Sequence, residues 1–387
     1  MRVAIVYDCL YPHTIGGGER WYRSLAEGLA RRHQVTYLTQ RSWPRDACPD
    51  TPCGVKVITV SSRAGLYTSS GRRGILSPLS FGLGLFGHLV RNRSKYDVVH
   101  VCAFPYFSLI TVKLAHLLGG PPFVTDWLEV WPTDYWRSYL GPFAGTIGAV
   151  VQRLCIHATG PAFVLSNLYA RRLVEWGYRG QPPQVLGGLY DGSTAATAAN
   201  TPREALVVFI GRHIREKRVT TIPAAIAAAR TSIPNLHAII FGDGPERAAL
   251  IAEIARLGLD KAVKTPGFAP WTEIDRALRQ AMCLLLPSAR EGYGLSVVEA
   301  MARSTPTVVV RDPENAATEL VRQGINGFIA ESVDAETLAA ALIDVHRLGP
   351  TLVTSTARWF DANADRLSIK GSIATVERTY AKLLRPQ

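Results

Sequence analysis

The chain has 387 residues, 47% of them apolar and 19% charged, with a formal net charge of +12 from 43 basic and 31 acidic side chains. That length exceeds one ordinary core and asks for two domains. The composition excludes a disordered tail, and the positive excess points to anionic partners: phosphates, acidic lipid or nucleic acid.

The chain opens on "MRVAIVYDCLYP", whose apolar run is too short for a signal peptide and reads as a first strand. Further strand-like runs follow in "QVTYLT", "VKVITV", "DVVHV", "FVTD" and "AFVLS". Their β-branched, non-alternating character predicts parallel strands covered on both faces. Between them, "IGGGER" (residues 15–20) closes the first strand and opens a helix, so the amides around Gly17 and Gly18 are candidates to cradle an anion. A G-x-G-x-x-G at Gly82, Gly84 and Gly87 follows no convincing strand and has no acid about 20 residues on, so it reads as chance.

Two segments of this half each have a bland and a functional reading. Residues 72–93, "RRGILSPLSFGLGLFGHLVRNR", form either a buried helix with solvated ends or an interfacial segment whose arginines meet anionic headgroups. The aromatic run holding Trp127, Trp131, Tyr135, Trp136 and Tyr139 is either core or a wall for sugar or lipid. No stretch reaches the roughly 18 apolar residues of a bilayer span. The expected location is therefore cytoplasmic, either free or at the inner face of the cell membrane. Cys9, Cys48, Cys53, Cys102, Cys155 and Cys283 form no C-x-x-C pair and read as reduced thiols.

"DGSTAATAANTPRE" (residues 191–204) has the composition of a linker. A second strand series then begins with "ALVVFIG", "LHAIIFG", "AVKTPG", "CLLLP" and "TVVV", so the fold class is α/β, with two doubly wound, Rossmann-like domains. Ligands in such sheets sit beyond the carboxyl ends of the strands. Two features of the second half fall there: "GRHIREK", with Arg212 and Lys217 as a candidate diphosphate clamp, and "EGYGLSVVEA", which sets Glu291 and Glu299 either side of a glycine-rich bend. For the latter, Ser296-x-x-Glu299 also fits a helix capping box. "FGDGPE" reads as a strand-to-helix turn rather than a ligand contact. A cleft between the two domains is the expected site.

These motifs resemble those of the large retaining family 4 of glycosyltransferases (glycosyl transferases group 1), which have the GT-B fold: two Rossmann-like doubly wound domains facing a central cleft. The resemblance covers nearly the whole chain. "GGGER" matches the family's N-terminal glycine loop, "GRHIREK" its G-R-x(4)-K segment, "EGYGLSVVEA" its E-G-[FY]-G-x(4)-E-A signature, and "PENAATELVRQGINGF" the segment after it. It implies an acceptor-binding domain over residues 1–195, a nucleotide-sugar domain over 203–355, and C-terminal helices over 356–387 that cross back to the first domain.

It further implies transfer of a hexosyl or pentosyl group from a nucleoside-diphosphate sugar to a lipid-linked glycan, polysaccharide or small-molecule acceptor. Arg212 and Lys217 would neutralise the diphosphate without a metal, and Glu291 would contact the donor sugar. Glu299 would hold the ribose hydroxyls, and the backbone of Gly292, Tyr293, Gly294 and Leu295 would face the donor, with the positive end of a helix opening at Ser296. No cofactor, metal or nucleic-acid partner is expected, while peripheral membrane contact is. One departure stands out: "DWLEV" offers Leu128 where the family commonly has histidine, which leaves Asp126 or Glu129 to substitute and suggests a deoxysugar or pentose donor. The alternative of another class is a silent module that binds sugar nucleotide without turnover.

Overall fold

Runs of Val, Ile and Leu without polar interruption become strands buried on both faces. In the computed structural model, which describes residues 1–44, 49–62, 76–190, 192 and 203–385, they supply the centres of two sheets. The chain divides into two units, Met1–Asp191 with Ser368–Gln387, and Gly192–Leu367.

The first unit runs Arg2–Val6 (β1), Gly17–Ala30 (α1), Gln34–Gln40 (β2), Lys56–Ser61 (β3), Leu76–Arg91 (α2), Val98–Cys102 (β4) and Tyr106–Leu117 (α3). It continues through Phe123–Trp127 (β5), Thr133–Leu140 (α4), Pro142–Ala158 (α5), Ala162–Val164 (β6), Asn167–Glu175 (α6) and Gln184–Val185 (β7). All seven strands are parallel, in the order β3-β2-β1-β4-β5-β6-β7. The order reverses at β1/β4. Because parallel crossovers are right-handed, that reversal sends α1 to one face of the sheet and α2, α3 and α5 to the other. The G-x-G-x-x-G lies inside α2, where it serves packing. A side chain on Gly82 would press on Phe107 and Thr111 of α3, and one on Gly84 would meet the carbonyl of Val60.

The second unit runs Leu206–Ile210 (β8), Ile222–Ala229 (α7), His237–Phe241 (β9), Arg247–Arg256 (α8), Val263–Gly267 (β10), Trp271–Gln280 (α9) and Cys283–Leu286 (β11). It then follows Arg290–Glu291 (β12), Leu295–Met301 (α10), Thr307–Val310 (β13), Glu314–Asn315 (β14), Gly327–Ala330 (β15) and Ala335–Leu367 (α11). Its main sheet is again parallel, in the order β10-β9-β8-β11-β13-β15, and β12 pairs with β14 alone. Here the reversal falls at β8/β11. All the strand-like runs of the sequence are strands; β7, β12 and β14, two residues each, and β15 were not among them.

The expected boundaries shift. The span Ala335–Leu367 is two helices joined by a kink at Gly349 (φ 44°), and residue 356 falls inside the second, which runs from Pro350 to Leu367. The chain therefore returns to the first unit at Ser368 rather than at 356. The hydroxyl of Ser368 accepts from Lys370 N at 3.0 Å and starts Ile369–Leu383 (α12). This helix is tied down by polar contacts on buried or half-buried side chains. Ser372 Oγ donates to Gly188 O at 2.6 Å, and Gln184 Nε2 donates to Thr379 Oγ1 at 2.9 Å. Of the linker reading at 191–204, residues 191 and 193–202 lie outside the described residues, as do Cys48 and residues 72–75. Cys9, Cys53, Cys102, Cys155 and Cys283 are free thiols.

Candidate functional site

The reversal of strand order in the second unit places the loops after β8 and β11 side by side at their carboxyl ends, the position where doubly wound sheets open a crevice. The loop after β8 runs through Gly211 and Arg212 to a 3-10 turn at Arg215–Lys217. The loop after β11 leads into β12, where Glu291 is held in register with Asn315 of β14. The two loops are joined directly: Ala289 N donates to Glu216 O at 2.8 Å, and Lys217 Nζ lies 2.5 Å from Glu291 Oε1. Both side chains are largely buried, at 18% and 10% exposure. Arg212 is exposed and its guanidinium meets no carboxylate among the described residues.

The bend between the two glutamates is built on Gly294, at φ 100°, which forms the N-cap of α10. A Cβ there would come 2.7 Å from that of Ala317, so the position demands glycine on two counts. Ser296 is consequently the second residue inside the helix and caps nothing, which corrects the capping-box reading and the expected start at Ser296. Glu299 sits on α10 and is 3% exposed, and Tyr293, next to Gly294 in the bend, is 6% exposed.

Three residues support the site without having been assigned a role. Asn315 Nδ2 donates to Ser288 O and Val310 O, at 3.1 and 2.9 Å, fixing the chain just before β12. Its only signal in the sequence is its place in "PENAATEL". Arg218, where the resembled family often has glycine, adopts φ 48°, the left-handed region that favours glycine, and pairs with Asp312 at 3.1 Å. His213 is fully buried under the "FGDGPE" turn: His213 N donates to Asp243 O at 2.8 Å, and Glu246 N donates to His213 O at 2.9 Å. A side chain on Gly242 or Gly244 would collide with the backbone of Gly211 or His213, so this turn buttresses the "GRHIREK" loop. Burial, and then the charge of Arg247, push the imidazole of His213 below its ordinary range, against the pull of Asp243 and the backbone at Phe241.

Gly17 and Gly18 belong to the first unit, in the first turn of α1. Gly17 has open space around it, and a Cβ on Gly18 would stand 3.0 Å from Tyr7 OH and 3.1 Å from Leu128 Cδ1. The two acids expected to stand in for a histidine at Leu128 are both engaged. Asp126 is buried, accepts from Trp21 Nε1 at 2.8 Å and lies 2.7 Å from His100 Nε2, whose Nδ1 is 2.6 Å from Tyr380 OH on α12. Glu129 accepts from Trp131 Nε1 at 2.7 Å. Asp126 is thus a core group that anchors α12. The aromatic run is core in part, with Trp131, Tyr135 and Tyr139 half-buried. Trp127 and Trp136 are buried, and the buried carboxamide oxygen of Gln152 accepts from Tyr106 OH, Trp131 N and Trp136 Nε1 at 2.8, 3.0 and 3.3 Å.

Comparison with known proteins agrees with this fold. A family model described as "Glycosyl transferase 4-like domain" matches residues 16–187, and one described as "Glycosyl transferases group 1" matches residues 196–357. The amylovoran biosynthesis glycosyltransferase AmsK of Erwinia amylovora is 37% identical over 110 residues, 27% of this chain and 26% of that protein. The matches to the first curated relatives span about a quarter to a third of their length. Among solved structures, sucrose-phosphate synthase from Thermosynechococcus elongatus superposes with a TM-score of 0.78 at 17% identity, covering 99% of this chain and 98% of that one. HepE from Anabaena, in complex with UDP and glucose, gives 0.72 at 18% identity, covering 98% and 99%. With both domain families in sequence and the fold matched over its full length, the chain belongs to the GT-B glycosyltransferases, a glycosyl transferase 4-like domain followed by a glycosyl transferases group 1 domain.

Proposed function

We propose that this protein is a retaining glycosyltransferase that moves a sugar from a nucleoside-diphosphate sugar to an acceptor hydroxyl. The observation that carries the reading is the pairing of Lys217 with Glu291 across the β8/β11 reversal, with Arg212 open beside it in sequence and Glu299 buried on the following helix. HepE, whose fold this chain shares, binds UDP and glucose, which supports a uridine nucleotide as the first donor to try.

The roles follow from charge and position. A diphosphate leaving group carries the negative charge that develops as the anomeric C–O bond breaks, and fixed cations aimed at it are the main catalytic lever. Arg212 and Lys217 supply that charge in place of a metal. On arrival of the diphosphate Lys217 exchanges Glu291 for a phosphate oxygen, which frees the Glu291 carboxylate to accept hydroxyls of the donor sugar. Glu299 takes the ribose hydroxyls, and the backbone of Gly292 to Leu295 borders the donor. The acceptor oxygen bonds to the anomeric carbon from the face the leaving group vacates, and its proton passes to a phosphate oxygen. Configuration is retained, and no protein nucleophile, metal or cofactor takes part.

The acceptor is read as a hydroxyl of a lipid-linked glycan, polysaccharide or small glycoside, reached in the cytoplasm at the inner face of the membrane. Incubating the protein with radiolabelled sugar nucleotides and a lipid extract tests the reading. Labelled lipid or glycan is the expected product; donor binding without transfer to any acceptor would favour a silent binding module.

A further inference from the structure

In the first unit, α3 packs against both α2 and α5, and the three helices cover one face of the sheet. Each buries an inner stripe and leaves an outer stripe apolar. On α2 the outward residues are Leu76, Leu79, Leu83 and Val90; on α3 they are Ile110, Leu114 and Leu117, with Leu118 following; on α5 they are Phe143, Ile147, Val150 and Leu154. The spacings within each helix are three, four or seven residues, which keep each set on one side. Phe143 is 81% exposed, and Leu83 and Leu117 are 67% exposed. More than half of the exposed large apolar side chains among the described residues lie on this one layer. Monomeric surfaces seldom carry so large a patch without a use for it.

The charge on these helices says what covers the patch. α2, α3 and α5 contain no Asp or Glu. Each sets a cation beside its stripe: Arg91 next to Val90, Lys113 next to Leu114, Arg153 next to Leu154, with Arg93 and Lys95 exposed just beyond α2. A two-fold dimer through this face would set these cations against themselves with no carboxylate on any of the three helices to meet them. An anionic bilayer surface answers both features, with acyl chains for the leucines and phosphates for the cations. No helix among the described residues is long and apolar enough to cross a membrane, so the contact lies in the interface.

We propose that the outer face of α2, α3 and α5 docks the protein on a bilayer rich in anionic lipid. The segment at 72–93, singled out in the sequence, supplies one third of this surface through α2; the other two helices gave no comparable signal. The inference deepens the reading of an acceptor at the membrane. It is measured without donor or acceptor, so its failure leaves the transfer reading standing.

The test is sedimentation of the full chain with phosphatidylcholine vesicles containing about one-third phosphatidylglycerol, or none. Expected are binding to the anionic vesicles, a weaker response to neutral ones, and a loss of at least about tenfold in partitioning for Leu83→Glu/Leu114→Glu/Ile147→Glu. Arg91→Glu/Arg153→Glu should cost about fivefold or more per residue. A Phe143→Trp variant gives a readout independent of these charges: its emission should shift to the blue on anionic vesicles and be quenched by brominated acyl chains. Binding that is unchanged in the triple variant, absent from anionic vesicles, or unaccompanied by quenching overturns the proposal. So does a dimer in solution that the triple variant dissolves, which would make a second copy the occupant.

Discussion

Lys217 and Glu291 come from the segments that follow two neighbouring strands, β8 and β11, and meet at 2.5 Å where the strand order of their sheet reverses. They stand 74 residues apart in the chain, yet the pair lies within a single unit. Removing one member should hurt function more than fold. Lys217→Ala is predicted to lower kcat/KM for transfer by about 100- to 1,000-fold, the worth of one fixed donor to developing charge, or about 3–4 kcal/mol. Far-ultraviolet circular dichroism should be unchanged. Wild-type turnover in this variant would remove Lys217 from the chemistry.

The bend that separates Glu291 from Glu299 depends on Gly294. At φ 100°, and with Ala317 only 2.7 Å from an added Cβ, Gly294→Ala should cost at least about 2 kcal/mol in urea unfolding, from left-handed strain and overpacking together. It should also weaken donor binding, because both glutamates leave the bend on either side of that residue. A change below about 0.5 kcal/mol would show that the backbone there relaxes freely.

α12 is anchored through a buried chain of contacts from Tyr380 to His100 to Asp126 to Trp21. Tyr380→Phe keeps the ring and deletes the hydroxyl facing His100 Nδ1, leaving a buried nitrogen without its partner. The expected loss is about 1–3 kcal/mol of stability, with donor affinity unchanged. A stability change within error would indicate that the His100 ring takes another partner.

His213 gives a pH dependence with a definite sign. Burial and Arg247 hold its folded pKa below the ordinary value, so between the two values the unfolded chain binds more protons than the folded one. Stability from this residue is present above about pH 6.5 and declines as pH falls below it. Urea midpoints compared between pH 7.5 and 5 should fall less in His213→Gln than in the wild type; equal slopes would mean His213 titrates normally.

Much of this was legible beforehand because strand runs are contiguous: "ALVVFIG" and "CLLLP" are β8 and β11, and a doubly wound sheet puts their loops together. Strand order made Arg212, Lys217 and Glu291 candidates, and the structure brings Lys217 and Glu291 together; their roles came from the family resemblance. What the sequence hid is long-range or conformational. Asp126 looked free for a sugar because nothing local announces that Trp21 and His100, from α1 and β4, consume it. Ser296 looked like a cap because a left-handed Gly294 starting the helix one residue earlier leaves no mark beyond a glycine that any turn could explain. The return of the chain at Ser368 was misplaced because the helix that restarts after the kink at Gly349 and Pro350 runs on to Leu367, with nothing at residue 356 to interrupt it.

Calorimetric titration of the protein with a panel of nucleoside diphosphates, beginning with UDP, tests the central claim most directly when the wild type is run beside Arg212→Ala/Lys217→Ala and Glu299→Gln. The account predicts saturable binding of one member of the panel, weakened at least about tenfold in each variant, since removing a charged hydrogen-bonding partner costs about 1.5–3 kcal/mol. Binding of equal strength in wild type and variants, or no binding across the panel, would contradict it.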